Sequence, residues 1–130
     1  MVDQEYLPRH TVLPRSTCLD LLARSTLARV VISVRCLPAA LPARIALVEG
    51  RLLVASAEES VILAAKRHDV ISVQVDGLEE GGQLWSVMAS GLASRAWDVE
   101  GLPAPIEESL ANGATLIELP LTVLVGQRIG

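Results

Sequence analysis

The side chains able to do chemistry are few and widely spaced. His10 and His68 are the only histidines, and Cys18 and Cys36 the only cysteines. None of them falls at the C-x-x-C or Cys/His spacings that hold zinc, so no metal site is expected. The sequence has no G-x-S-x-G elbow, no evident Cys–His nucleophile pair, no G-x-G-x-x-G and no P-loop. Glu107 and Glu108 are adjacent, and neighbours on a helix point in different directions, which makes them a poor acid–base pair. No residue is therefore singled out as catalytic. Redox chemistry remains open, because a bound cofactor carries the reaction and the protein needs only to bind and orient it.

Six stretches have strand character. Arg29–Cys36 is rich in β-branched residues, with Val30, Ile32 and Val34 alternating against Val31, Ser33 and Arg35. Leu37-Pro38 reads as a turn, followed by a strand over Ala40–Glu49. Glu49-Gly50 is a tight-turn signal, so Arg51–Ala55 pairs back as an antiparallel hairpin. Further strands are expected over Asp69–Val75, within Gln83–Trp97 with a bulge or bend at Gly91, and over Thr115–Val125, where Pro120 must sit at an edge, bulge or break. Helices are expected over Ser16–Ala23, capped by Ser16 or Thr17, from the Ser56…Glu59 capping box to Arg67, and over Ile106–Ala111. Val61, Ala64 and Ala65 then lie on one helix face. Short turns without regular βαβ alternation predict an antiparallel barrel or sandwich.

The chain has 130 residues, 51% hydrophobic, 20% charged, with a net charge of −4. One domain fits this length, with residues 1–13 read as a flexible arm and 14–130 as the folded unit. A chain of this size buries only about two-thirds of its unfolded surface, and the high apolar fraction points to pairing with a second copy. A nucleic-acid partner is not expected, since phosphate contacts need a basic face. No apolar stretch reaches the roughly 20 residues of a membrane span, and no leader pattern is visible, so the expected location is cytoplasmic with both thiols reduced.

The order of these pieces carries a resemblance. A capped helix leads into Ala28-Arg29-Val30-Val31-Ile32-Ser33-Val34, then Leu41-Pro42-Ala43-Arg44-Ile45-Ala46-Leu47 and Gly50-Arg51-Leu52-Leu53-Val54. Leu84-Trp85-Ser86-Val87-Met88-Ala89-Ser90-Gly91-Leu92-Ala93 follows, and the chain ends on Gly126-Gln127-Arg128-Ile129. Over residues 14–129 this resembles the short bacterial members of the pyridoxamine 5'-phosphate oxidase-like family. The resemblance implies a mostly β, six-stranded antiparallel split β-barrel with two or three short helices. It also implies a homodimer that binds FMN, or a deazaflavin coenzyme, in a groove at the subunit interface. The function implied is an oxidoreductase that transfers hydride to or from a small-molecule substrate.

Within that resemblance the cofactor contacts are Arg44, Ala55, Ser56, Ser60, Val61 and Trp85. The family places an Arg and a Thr at the end of the strand at 51–55 and a Gly-Ser/Thr-Lys triplet just after it. This chain has Ala55 and Ser56, then Glu59, Ser60 and Val61. Both basic residues are gone, and Glu58 and Glu59 stand in the first helical turn, where free N–H groups would otherwise attract phosphate. At ~4 Å and an effective dielectric near 20, each carboxylate–phosphate charge pair costs on the order of 4 kcal/mol before screening. Arg44 is the foremost substitute cation. Apart from the resemblance, Ser56 and Ser60 read first as a helix cap and a solvated first turn, and Trp85 as a core or dimer-interface tryptophan. A second function therefore stands beside the first, a split-barrel protein that has lost its cofactor and acts as a non-catalytic ligand-binding or interaction module.

Overall fold

A computed structural model describes residues 10–130. Nine strands form one fully antiparallel sheet. They are β1 (His10–Val12), β2 (Leu27–Val34), β3 (Leu37–Val48), β4 (Arg51–Ser56), β5 (Val70–Leu78), β6 (Leu84–Leu92), β7 (Ser94–Arg95), β8 (Thr115–Leu119) and β9 (Val123–Ile129). The helices are α1 (Arg15–Ala23), α2 (Glu59–Arg67) and α3 (Ala104–Ala111). The strand order is β1-β9-β6-β5-β2-β3-β4-β8-β7, and the sheet does not close into a complete barrel. Its inner face carries the main core, with Val30, Leu52, Val54, Ile71, Val73, Val87 and Ile117 almost wholly buried against Leu22 of α1 and Val61 of α2. A second cluster, Ala46, Leu53, Ala55 and Leu116, lies on the outer face of β3, β4 and β8 under Ile106 of α3.

The mostly β class stands, but nine strands replace the six expected. Three departures account for the difference. Residues 10–12, read as part of an arm, pair with β9, and Leu13 N–H donates to the Gly126 carbonyl at 2.9 Å; residues 1–9 lie outside the described part of the chain. The last strand region divides into β8 and β9 around Pro120, which has no N–H for a ladder. The long stretch after Gln83 ends at Leu92, and two residues beyond Ala93 form a separate strand on β8. Gly91 introduces no bulge, because the β5–β6 register runs unbroken from Val70↔Leu92 to Leu78↔Leu84. Its role is close approach: a Cβ there would stand 2.7 Å from Pro120 Cγ.

Turn chemistry set the hairpins more locally than expected. Glu49 and Gly50 both take positive φ, 49° and 76°, as the two-residue turn between β3 and β4 requires. The β2–β3 turn is Arg35-Cys36, with φ of 51° and 66°, and not Leu37-Pro38. Pro38 and Pro42 are accepted inside β3 because β4 begins to pair only at Arg44, which leaves this half of the strand with β2 alone.

The expected helix caps do not form. Pro14 is the N-cap of α1, and Ser16 and Thr17 lie within the helix. The capping box at Ser56 and Glu59 is absent: the N-cap falls two residues later, at Glu58, which makes no side-chain cap, and α2 begins at Glu59. The Ser56 hydroxyl instead accepts the Glu58 N–H at 3.2 Å, closing a side-chain turn between strand and helix. His68 ends α2 in the left-handed conformation, its N–H donating to the Ala65 carbonyl at 3.3 Å.

Candidate functional site

Antiparallel pairing places Arg44 directly opposite Ala55. The next residue, Ser56, is the last of β4 and its side chain is buried, while Glu58 stands at the N-cap position of α2. These residues share a cleft of about 400 Å³ whose apolar wall is Leu27 and Pro42. Arg44 is exposed and has no ion-pair partner among the described residues, whose ion pairs are Arg51–Glu118 and Arg128–Glu79. Glu58 is likewise exposed and its carboxylate caps no N–H, so one free cation and one free anion face the same space.

A second cleft of about 330 Å³ adjoins the first at Leu27 and Pro42 and continues past Arg29 to Gln74 and Asp76. Together they make a groove that crosses β2 from the β3–β4 side to the β5 side. The β4 wall is held firmly. Arg51 on β4 donates two hydrogen bonds to Glu118 on β8, at 2.6 and 2.7 Å. That pairing, more than its own partial burial opposes, holds the Glu118 carboxyl below the usual range.

The groove gathers Arg44, Ala55 and Ser56, and leaves three other expected residues outside it. Ser60 lines a different cleft, beside Leu63 and Arg67. Val61 points into the main core and is fully buried. Trp85 pairs with Gly77 across β5 and β6, and a Cβ on Gly77 would come within 2.7 Å of the Trp85 indole Nε1, so the ring lies flat over that glycine. Two polar residues of the Arg44 cleft were not legible in the sequence, Ser109 and Asn112 from the end of α3. No local pattern marks them, since only the docking of α3 over β3 and β4 carries them there. The Ser109 hydroxyl is engaged with the Pro105 carbonyl at 3.1 Å, which leaves Asn112 as the freer group. Among the described residues no group of three or more His, Cys, Asp or Glu side chains could hold a metal ion. No helix there is long and apolar enough to cross a membrane.

The sequence of residues 14–111 matches the family described as pyridoxamine 5'-phosphate oxidase. The chain belongs to that family. Solved structures agree on the fold. An FAD-binding protein from Mesorhizobium loti superposes with a TM-score of 0.75 at 17% identity, over 95% of this chain and 98% of that one. An FAD-binding protein from Mycobacterium smegmatis gives 0.69 at 22% identity, over 92% and 98%. An FAD and heme binding protein from the same organism gives 0.67 at 17%, over 90% of this chain and 71% of its own length. Among curated protein sequences none matches this chain. Within the family's fold, the groove at Arg44 gathers charge, hydroxyl and apolar wall together.

Proposed function

We propose that the chain binds a flavin in the groove from Glu58 and Arg44 past Leu27 to Gln74, and works as an oxidoreductase in a homodimer. The observation that carries this reading is the convergence of an unpaired Arg44 with Ala55 and Ser56 in one cleft. FMN is the first candidate and a deazaflavin coenzyme the alternative; the FAD-binding proteins of similar fold add FAD to the set.

The residues present fit a flavin in part. Arg44 offers a guanidinium fork suited to a phosphoryl group. Leu27 and Pro42 give an apolar surface that a fused ring system can cover, and Arg29 offers donors at the far end, where the Gln74 amide already donates to Asp76 and Ser86. Ser56 can donate its hydroxyl proton while its oxygen accepts the Glu58 N–H. The bound flavin would supply hydride transfer to or from a small-molecule substrate; these residues hold and orient it. Glu58 works against a phosphate at the same end of the groove.

That carboxylate, with Glu59 beside it and no lysine on the first turn of α2, favours a second reading: a non-catalytic ligand-binding or interaction module that has given up the cofactor. The two separate on one experiment. The freshly purified protein is examined by absorbance, then titrated with FMN, FAD and the deazaflavin coenzyme by fluorescence quenching. Under the first reading the protein quenches one of them saturably at micromolar concentration. Arg44→Ala then weakens that binding roughly tenfold, as expected for loss of a charge-assisted hydrogen bond, and Glu58→Gln tightens it. A colourless protein that ignores all three ligands supports the second reading and sinks the first.

A further inference from the structure

The cleft between α2, the end of β2 and the start of β5 takes no part in the flavin groove and shares no lining residue with its Arg44 end. It encloses about 470 Å³, within the range of small-molecule sites. Its walls include Val34, Leu63 and Val70, which leave 36%, 40% and 65% of their surface exposed. Such apolar surface around one cavity has a cost in water that a covering ligand would remove. Two cations border it. Arg67 comes from the last turn of α2, and Arg35 from the two-residue β2–β3 turn.

Neither guanidinium has a carboxylate within 4.0 Å among the described residues, although Asp69 lies on the same lining. Arg35 also holds a left-handed backbone, φ 51°, at a turn position where Asn or Gly is the less strained choice. Two guanidinium groups against one carboxylate leave a single net positive charge. That balance suits a monoanion better than a phosphate dianion, and the hydroxyls of Ser33 and Ser60 add donors of the kind a carboxylate accepts.

We infer that this cleft is a second binding site, for a small monocarboxylate with an apolar body. Arg35 and Arg67 hold the carboxylate, and Leu63, Val34 and Val70 cover the body. The inference does not depend on flavin binding. The test is calorimetric titration of the whole chain with phenylbutyrate, with its neutral amide and inorganic phosphate as comparison ligands, on wild type, Arg35→Asn and Arg67→Gln. Wild type should bind phenylbutyrate saturably, and bind the amide and phosphate at least tenfold more weakly. Each variant should lose roughly tenfold in affinity for phenylbutyrate, the effect of removing a charged hydrogen-bond donor, while keeping the wild-type circular dichroism and melting temperature. Both side chains are exposed, so folding should survive the changes. No saturable phenylbutyrate binding at millimolar concentration, equal binding of the amide, tighter binding of phosphate, or variants that bind like wild type would each overturn the inference.

Discussion

The resemblance leads one to expect a lysine at Val61, yet the Val61 side chain is fully enclosed by the main core. Restoring the lysine there cannot improve a phosphate site, because the ammonium would enter the core without a partner. Val61→Lys is expected to cost about 3 kcal/mol or more, read as a lowered midpoint in urea unfolding. At Gly126 the limit is space. An added Cβ would stand 2.5 Å from Cys18 Sγ and 3.3 Å from both the Ser86 carbonyl oxygen and Val87 Cγ2. Gly126→Ala should therefore destabilise by about 1–3 kcal/mol, and Cys18→Ala in the same chain should recover part of it in a double-mutant cycle. The thiol in question is free, buried and pushed up in pKa chiefly by that burial, so its neutral form packs as a small apolar group.

Between elements, two bidentate ion pairs join strands that local sequence does not relate. Arg51–Glu118 ties β4 to β8, and Arg128–Glu79 ties β9 to the residue after β5, with distances of 2.6 to 2.8 Å. In both pairs the carboxyl pKa is lowered, first by the arginine hydrogen bonds. A lowered folded-state value means the contribution is present above the ordinary glutamate pKa and is lost as pH falls through the folded one. The loss should begin below about pH 4, where unfolded glutamate takes up protons. Glu118→Gln should accordingly melt lower than wild type at pH 7, and the two curves should converge in acid; thermal melts across that range check it. The effect is expected to be modest, since both partners remain partly exposed. The glutamates and arginines are plain in the sequence, but their pairing is not. Arg51 and Glu118 meet only because β8 returns beside β4, with Leu53 opposite Glu118.

At the scale of the molecule, the outward face of β9, β6 and β5 is unusually apolar for a surface. Val123 and Val125 on β9 and Leu92 on β6 are more than half exposed, and Met88 stands between Val125 and Gln74 of β5 in register. Ser72 and Ser90 hydrogen-bond to each other at 2.6 Å on the same face. A second copy of the chain is the proposed cover, as the homodimer reading requires. Val125→Glu with Met88→Glu should shift the protein to monomer in sedimentation velocity, because a buried carboxylate without a partner opposes association. A wild-type protein that sediments as a monomer at high micromolar concentration would remove the homodimer from the proposal.

Strand alternation, the Glu49-Gly50 turn and the helical spacing of Val61, Ala64 and Ala65 are local physics. They were legible in the residues, and with the order of motifs they fixed the mostly β class and the family. The splitting of the last strand at Pro120 was visible only as a constraint, because a proline states where a ladder must fail and not how the chain resumes. Which side of α2 each residue faces was decided by packing. The same few positions that the resemblance offered as phosphate ligands divide, in the folded chain, among a groove, a core and a second cleft. Arg44, Ser56 and Asn112 come together because strands and a helix distant in sequence bury a shared apolar surface, and that burial has no signature in any one stretch of sequence.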